Sequence, residues 1–353
     1  MFQTVARGLH VLRPRGIVRI LTLFLLVLIG ASADDPKPRM YTDDPSVARG
    51  QAVLWHDPGA VAQLDFRYGI GGKEQAPQAP FTFVKEDSTG TSPKVIVQDA
   101  NGRTWSIKFG PEASPDTFSS RMVWAVGYWV ETNYFVSQGV IRGAHDLSRA
   151  RRDVDAAGNF HDARFQLRSD HPKYLQNVNW NWDGNPFVGT PELNGLKIMM
   201  MLLSNWDDKD FRDASTKGAN TAIFDDRGRY IFFIDDWGAS MGNWGKVLTR
   251  SKWNCMDYDR QSRRFVKSLQ NSDIEWAYIG QHTHLITDGI RISDVKWLVP
   301  YLSAITGRQL HDGLISSGAS EEDARYCIDG IRTRIRELET VANSPAVTGP
   351  RAN

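Results

Sequence analysis

The chain has 353 residues, of which 41% are hydrophobic and 24% are charged, so its composition is that of an ordinary globular protein. This length allows one large or two modest domains with a sizeable core. The formal net charge of +1 gives no electrostatic reason to expect a nucleic-acid partner.

Residues 1–33 have the three-part pattern of a secretory signal peptide. The apolar run "ILTLFLLVLIG" follows a basic segment, and the small residues "ASA" precede Asp34. The basic residues are Arg7, Arg13, Arg15 and Arg19. The apolar run is short for a membrane span, so an uncleaved anchor, which would be the protein's membrane contact, is the alternative. We therefore expect an exported protein, periplasmic or extracellular.

Four further segments follow the signal peptide. Residues 34–46, "DDPKPRMYTDDPS", are polar and proline-rich and predict a linker. Residues 47–170 predict a β-rich region, and residues 171–342 predict a mainly helical region that contains one hairpin. Residues 343–353 predict a disordered tail. Strands followed by helices indicate an α+β fold.

Alternating or β-branched runs predict the strands of the β-rich region, which are "PFTFVKED", "PKVIVQ", "RTWSIKFG" and "NYFVSQGVIRG". "DANG" predicts a tight turn between the second and third runs. A helix is predicted after the third run, with Ser114 as its N-cap, Pro115 in its first position and Asp116 in its first turn.

The mainly helical region begins with "PELNGLKIMMMLLSNWDDKD", whose apolar residues recur at helical spacing. "NTAIFDDRGRYIFFIDD" predicts a hairpin that turns at "DRGR". The last helix is predicted in "SEEDARYCIDGIRTRIRELETV", where Ser320 and the acids after it are typical of a helix start.

The two cysteines are Cys255 and Cys327. In an oxidising compartment they can pair, and a bridge that closes so long a loop would add about 4 kcal/mol of stability. The alternative is a pair of buried free thiols. We expect the two residues to lie within bridging distance.

The segment "YIFFIDDWGASMG" begins at Tyr230 and ends an apolar strand with two acids, Asp235 and Asp236. An unpaired carboxylate beside a buried strand costs several kcal/mol, and a bound divalent cation would offset that cost. Because side chains alternate along a strand, we expect Asp236 to face a cleft and Lys108, with Asp235 on the opposite side. Gly238 would let the backbone turn away sharply.

Four polar residues along the chain supply the groups that phosphoryl transfer from ATP uses. Lys108 lies on a strand after the turn "EDSTGTSPK", and Asp207 follows an apolar helix. Asn220 precedes the hairpin, and Asp236 follows it. A lysine for the phosphates, a carboxylate near the attacking oxygen, and a carboxylate with an amide for Mg²⁺ are the groups that this chemistry uses.

These segments resemble the motifs of atypical protein-kinase-like families: the HipA toxin kinases, the spore-coat CotH kinases and the secretory-pathway kinases. "TGTSPKVIV" and "WSIKFG" resemble their turn and strand lysine. "LLSNWDDKD" resembles the catalytic segment, through Asn205 and Asp207, and "IDDWGASMG" resembles the metal-binding segment, through Asp236. The chain also resembles exported bacterial proteins that share "NWD" and "DWG". The resemblance covers residues 85–245, and it departs from the families at "DKDFRDASTKGA", which separates the catalytic acid from Asn220.

The resemblance implies a two-lobed protein-kinase-like fold with a β-rich N-lobe and a mainly helical C-lobe. It implies a phosphotransferase that uses ATP with Mg²⁺ or Mn²⁺ and acts on an unidentified protein or glycan acceptor. The implied catalytic residues are Asp207 and Lys108, the nucleotide-binding residues are Lys94, Lys108 and Glu112, and the metal ligands are Asn220 and Asp236.

Two other segments carry alternatives. In "NWNWDGNPFVGTPE", Trp180 and Trp182 lie beside amides and carboxylates that suit a sugar ring. A non-catalytic exported protein that contacts glycan or the cell envelope is therefore the alternative function, and a structural loop anchored by these rings is the other interpretation. His282 and His284 in "QHTHLITDG" are predicted on one side of a strand, as metal ligands sometimes are. Because no third ligand is evident, we expect satisfied polar histidines.

Export is testable directly on the mature protein. Mass spectrometry should find an N-terminus near Asp34, because the signal peptide is removed after "ASA". A cytosolic protein that keeps an intact Met1 terminus would contradict the prediction.

Overall fold

The structure, a computed structural model, describes residues 37–88, 92–270 and 273–344, all of which belong to one unit, Pro36–Asn353. The predicted signal peptide, residues 1–33, and most of the predicted tail lie outside the described residues. Among the residues described, no helix is long and apolar enough to cross a membrane.

The fold of the described residues is α+β. Its strands are β1 (Arg39–Met40), β2 (Gln51–Val53), β3 (Phe81–Asp87), β4 (Lys94–Gln98), β5 (Thr104–Phe109), β6 (Asn133–Arg142), β7 (Asn159–Leu167), β8 (Lys173–Tyr174), β9 (Val178–Asn179), β10 (Thr221–Asp226), β11 (Arg229–Ile234), β12 (Val266–Gln270) and β13 (Asp273–Trp276). Its helices are α1 (Pro45–Arg49), α2 (Ala113–Ala125), α3 (Pro191–Leu202), α4 (Cys255–Ser262), α5 (Thr283–Thr287), α6 (Ile292–Ala304), α7 (Gly307–Ile315) and α8 (Glu321–Ala342).

Five strands close into a barrel in the order β3-β4-β5-β7-β6. β3 and β6 pair in parallel, and the other neighbours pair antiparallel. Alternation along β5 places Trp105, Ile107 and Phe109 in the buried barrel core and leaves Lys108 on the outer face. The predicted strands and the predicted turn at "DANG" are confirmed.

Helix α2 packs on the outer face of the barrel against β6 and β7. The predicted N-cap at Ser114 is wrong, because the helix begins at Ala113 and Glu112 occupies the N-cap position. The chain turns at once after β5, where Gly110 has a φ of 87°, and the first helical hydrogen bond therefore forms from Asp116 N to Glu112 O. This early start keeps Glu112 close to the end of β5.

Part of the segment predicted as a linker is built into the fold. β1 pairs in parallel with β9. Asp44 caps α1 by accepting hydrogen bonds from the backbone N of Ser46 and Val47. Val47, the residue after this segment, is 3% exposed, so the segment ends against the core.

The predicted hairpin is confirmed as β10 and β11, which turn at Arg227 and Gly228 with φ of 55° and 89°. It forms the centre of a sheet in the order β2-β11-β10-β8. Its residues Ile223 and Phe232 join the large core that includes most of α3. The end of α3 and the end of β11 are therefore held against the same core.

Helix α8 begins after Ser320, whose side chain caps it as predicted. Its residue Arg334 is fully buried and donates hydrogen bonds to the carbonyl oxygens of Met201 and Leu202. The last carbonyls of a helix have no partner within the helix, so a buried guanidinium satisfies the end of α3. This contact fixes the chain just before Asn205 and Asp207.

A disulfide between Cys255 and Cys327 joins α4 to α8 and confirms the expected pairing. We predict that replacing both cysteines by alanine lowers the free energy of unfolding by up to about 4 kcal/mol, because the long loop is no longer closed in the unfolded chain. Denaturant titration measures the change. Thiol labelling of denatured, unreduced protein should find no reactive thiol, and two reactive thiols would contradict the bridge.

Candidate functional site

Three basic residues form a row across neighbouring strands on the outer face of the barrel. Lys94 on β4 lies opposite Lys108 on β5, and Lys108 lies opposite Arg164 on β7. Like charges placed directly opposite each other in a sheet repel. This row, which we call the basic row, is therefore stable only if anions approach it.

Helix α2 supplies two of these anions. Glu112 lies 2.6 Å from the Lys108 ammonium, and Asp116 pairs with Arg164. Burial raises the pKa of Asp116 to about 6, although Arg164 acts in the opposite direction. The first turn of α2 thus neutralises the barrel side of the site.

Asp236 supplies the third anion, from the loop that follows β11. Its Oδ2 accepts a hydrogen bond from Lys108 Nζ at 3.0 Å, and its Oδ1 accepts one from the backbone N of Gly238 at 2.8 Å. Burial opposes its ionisation, but Lys108 and Arg164 outweigh burial and hold its pKa well below the usual range. The Asp236 side chain keeps 33% of its surface exposed, so a ligand can reach it.

Asp235 and Asp236 follow β11 and contact different partners, as the sequence predicts, although neither lies within the strand. Asp235 accepts a hydrogen bond of 2.7 Å from the hydroxyl of Tyr174 on β8. Burial raises its pKa. Asp235 therefore supports the sheet, whereas Asp236 faces Lys108.

The segment after α3 brings Asn205 and Asp207 next to the loop that carries Asp236. Asn205 donates to Asp236 O at 3.2 Å and accepts from Asp207 N at 3.2 Å, so one side chain links the two segments. Asn220 Nδ2 donates to Asp207 O at 2.6 Å. The Asp207 carboxylate lies 3.1 Å from Lys209 and also accepts a hydrogen bond from Gln281.

The oxygen atoms in this place suit a hard divalent cation. Asp235 N donates to Asn220 O at 3.0 Å, which holds Asn220 beside the segment that carries Asp236. No described residue donates a hydrogen bond to Asn220 Oδ1. A carboxylate and an amide oxygen, with water completing the shell, match the ligands that Mg²⁺ prefers. Asp236 and Asn220 thus offer the kinds of oxygen that Mg²⁺ prefers, and the Asp236 carboxylate is at present held by Lys108 and Gly238.

The predicted strand position of His282 and His284 is wrong. His282 precedes the short helix α5 and His284 lies within it, since their sequence follows a turn rather than a β run. His282 Nε2 lies 2.7 Å from Asp213, close to the buried Asp210. The ligand atoms of Asp210, Asp213 and His282 all lie within 4.8 Å of one another, so a third possible ligand is present, and Asp210 also pairs with Arg212.

Trp180 and Trp182 are 0% and 1% exposed, and each indole donates a hydrogen bond to a backbone carbonyl. Their rings therefore anchor the loop structurally and present no face to a sugar. This burial removes the rings on which the glycan interpretation of the loop depended.

Arg164 was not predicted as a site residue, although the pattern of its segment, "ARFQLR", indicates a strand with one polar face. Arg164, Gln166 and Arg168 alternate with apolar residues, and this pattern predicts one polar face of a strand. The pairing of Lys94 with Lys108 depends on strand register, which the sequence alone leaves open.

Two comparisons with known proteins found nothing similar. A scan against protein-family models gives no match, and a search of curated proteins gives none either.

A cavity of about 960 Å³ lies between the barrel and the sheet that contains β8 and β10, and none of the predicted site residues lines it. Its lining includes Glu131, Trp129, Tyr174 and Phe224. No described residue donates a hydrogen bond to the Glu131 carboxylate. Burial raises the pKa of Glu131 to about 7, and Arg164 only partly offsets the effect.

Because of Glu131, the free energy of unfolding should decrease as the pH rises. Below about pH 4.5, Glu131 is protonated in both the folded protein and the unfolded chain. Between about pH 4.5 and 7 it ionises in the unfolded chain but stays protonated in the folded protein, so the free energy of unfolding decreases as the pH rises. We predict that Glu131→Gln raises the free energy of unfolding at pH 8 by up to about 3 kcal/mol and leaves it nearly unchanged at pH 4. Urea titrations at both pH values measure this.

Glu74→Gln, in an exposed turn outside any helix, is the matched control and should change neither value. Equal effects of Glu131→Gln at pH 4 and pH 8 would show that the substitution acts through packing rather than charge.

Proposed function

We propose that this chain is an exported kinase-like phosphotransferase that uses ATP with Mg²⁺ or Mn²⁺. Residues 47–170 would form the β-rich lobe, and residues 171–342 the mainly helical lobe. One observation supports this most: Lys108 on β5 lies between Glu112, 2.6 Å away, and Asp236, 3.0 Å away and far along the chain. This arrangement is similar to the lysine, helix acid and metal-binding acid of protein kinases, although Glu112 is at the N-cap of its helix.

Lys94 and Lys108, the two lysines of the basic row, would contact a triphosphate, whereas Arg164 is buried against Asp116. Lys94, Lys108 and Arg164 lie side by side, and phosphate oxygens form strong charge-assisted hydrogen bonds with such groups. Glu112 would keep Lys108 in position while the phosphates bind. Burial lowers the pKa of Lys94, although Asp87 acts in the opposite direction, so an anionic ligand would stabilise its charged form.

Asp236 and Asn220 would hold the metal ion. When bound, the ion would neutralise charge that develops on the transferred phosphoryl group. Asn205 links Asp236 to the segment of Asp207, so the metal-binding acid and the proposed catalytic acid keep a fixed relation.

Asp207 would orient the acceptor hydroxyl and accept its proton. Lys209 and Gln281 contact its carboxylate from the protein side and hold its orientation. The acceptor, a protein or a glycan, would approach from the side opposite the barrel.

The alternative is a non-catalytic exported binding protein on the same scaffold. It predicts no metal-dependent nucleotide binding, and any glycan or envelope contact would have to use a surface other than the buried Trp180 and Trp182. The same binding assay distinguishes the two functions.

We predict that Asp236→Asn weakens binding of ATP by at least about tenfold in the presence of Mg²⁺, because the metal loses its charged ligand. Isothermal titration calorimetry with and without Mg²⁺ measures this. Asp235→Asn is the matched control, since the neighbouring carboxylate contacts Tyr174 instead, and it should bind ATP like the unsubstituted protein.

Circular dichroism should show both variants folded. Metal-independent binding, or an equal loss in both variants, would contradict the assignment of Asp236. Binding of oligosaccharide without any nucleotide binding would support the alternative function.

A further inference from the structure

The Glu112 carboxylate holds two lysines. Its Oε2 lies 2.6 Å from Lys108 Nζ, and its Oε1 lies 2.6 Å from Lys252 Nζ. Lys252 comes from the loop between β11 and α4, far from the barrel in sequence. One anion therefore places two ammonium groups side by side.

Contacts to the backbone of the preceding residue, Ser251, hold Lys252 in place. Ser251 O accepts a hydrogen bond of 2.8 Å from the indole of Trp206, the residue before Asp207. Gly242 packs so closely on this segment that a Cβ there would come within 2.6 Å of the Ser251 backbone. The loop thus brings Lys252 to Glu112 from the side of the proposed catalytic acid, whereas Lys108 comes from the barrel.

The two lysines are not fully neutralised by Glu112. The carboxylate is ionised, because Lys108 keeps its pKa below the ordinary value despite burial, yet it carries a single negative charge. Asp236 contacts Lys108 and not Lys252. The Lys252 side chain is 30% exposed, so its ammonium group, which shares the Glu112 carboxylate with Lys108, can also contact an anionic ligand.

We propose that Lys252 is a second phosphate-binding lysine and that it contacts the terminal phosphate of a nucleoside triphosphate. This inference rests on the proposed function. Lys108, on the barrel, would contact the inner phosphates, and Lys252 would contact the phosphate nearest Asp207. Glu112 would be the positioning residue that sets the spacing of the two lysines.

The test compares ATP with ADP, each with Mg²⁺, by isothermal titration calorimetry. Lys252→Met should raise the Kd for ATP about tenfold, because a charge-assisted contact to the terminal phosphate is lost, and should leave the Kd for ADP unchanged. Lys108→Met should raise both Kd values. Lys252→Arg should retain most of the affinity for ATP.

Lys246→Met is the matched control, because Lys246 is exposed on the same loop. It should change neither Kd. The assignment of Lys252 is overturned if Lys252→Met leaves ATP binding unchanged. It is also overturned if Lys252→Met and Lys252→Arg each weaken the binding of ATP and ADP equally. In both cases the proposed function stands. If the unsubstituted protein binds neither nucleotide, the proposed function and this inference both fail.

Discussion

Lys108 is a buried cation that must be neutralised from two directions, and the rest of the site depends on this constraint. It lies in register with Lys94 and Arg164, so the outer face of the barrel cannot be left without anions. Glu112 reaches it from α2, and Asp236 reaches it from the end of β11. Removing one partner of a buried ion pair costs about 3–5 kcal/mol, so these contacts fix how the helix and the hairpin sit on the barrel.

The same contacts couple α2 to the loop after β11. Asp116 pairs with Arg164 and also accepts a hydrogen bond of 3.4 Å from the backbone N of Trp237. Gly238 is so close to α2 that a Cβ there would lie 2.8 Å from the Glu112 Cβ. A displacement of α2 would therefore move the residue proposed to bind metal, and a ligand on Asp236 would in turn hold α2 in place.

Much of the fold could be predicted because local patterns determine it. The barrel strands follow from alternation, the hairpin from its turn residues, and the last helix from its cap at Ser320. Predictions failed where a neighbouring element decided the outcome: Gly110 starts α2 before Ser114, and a turn places His282 at a helix start. The role of Arg164 depends on the pairing register of its strand and on contact with a helix that is distant in sequence. A local sequence pattern specifies neither.

A crystal structure of the protein with Mg²⁺ and a non-hydrolysable ATP analogue would test the account most directly. The account predicts a metal ion on Asp236 and Asn220, with the phosphates against Lys108 and the basic row. A nucleotide bound elsewhere, such as in the cavity beside Glu131 with no metal at Asp236, would contradict it.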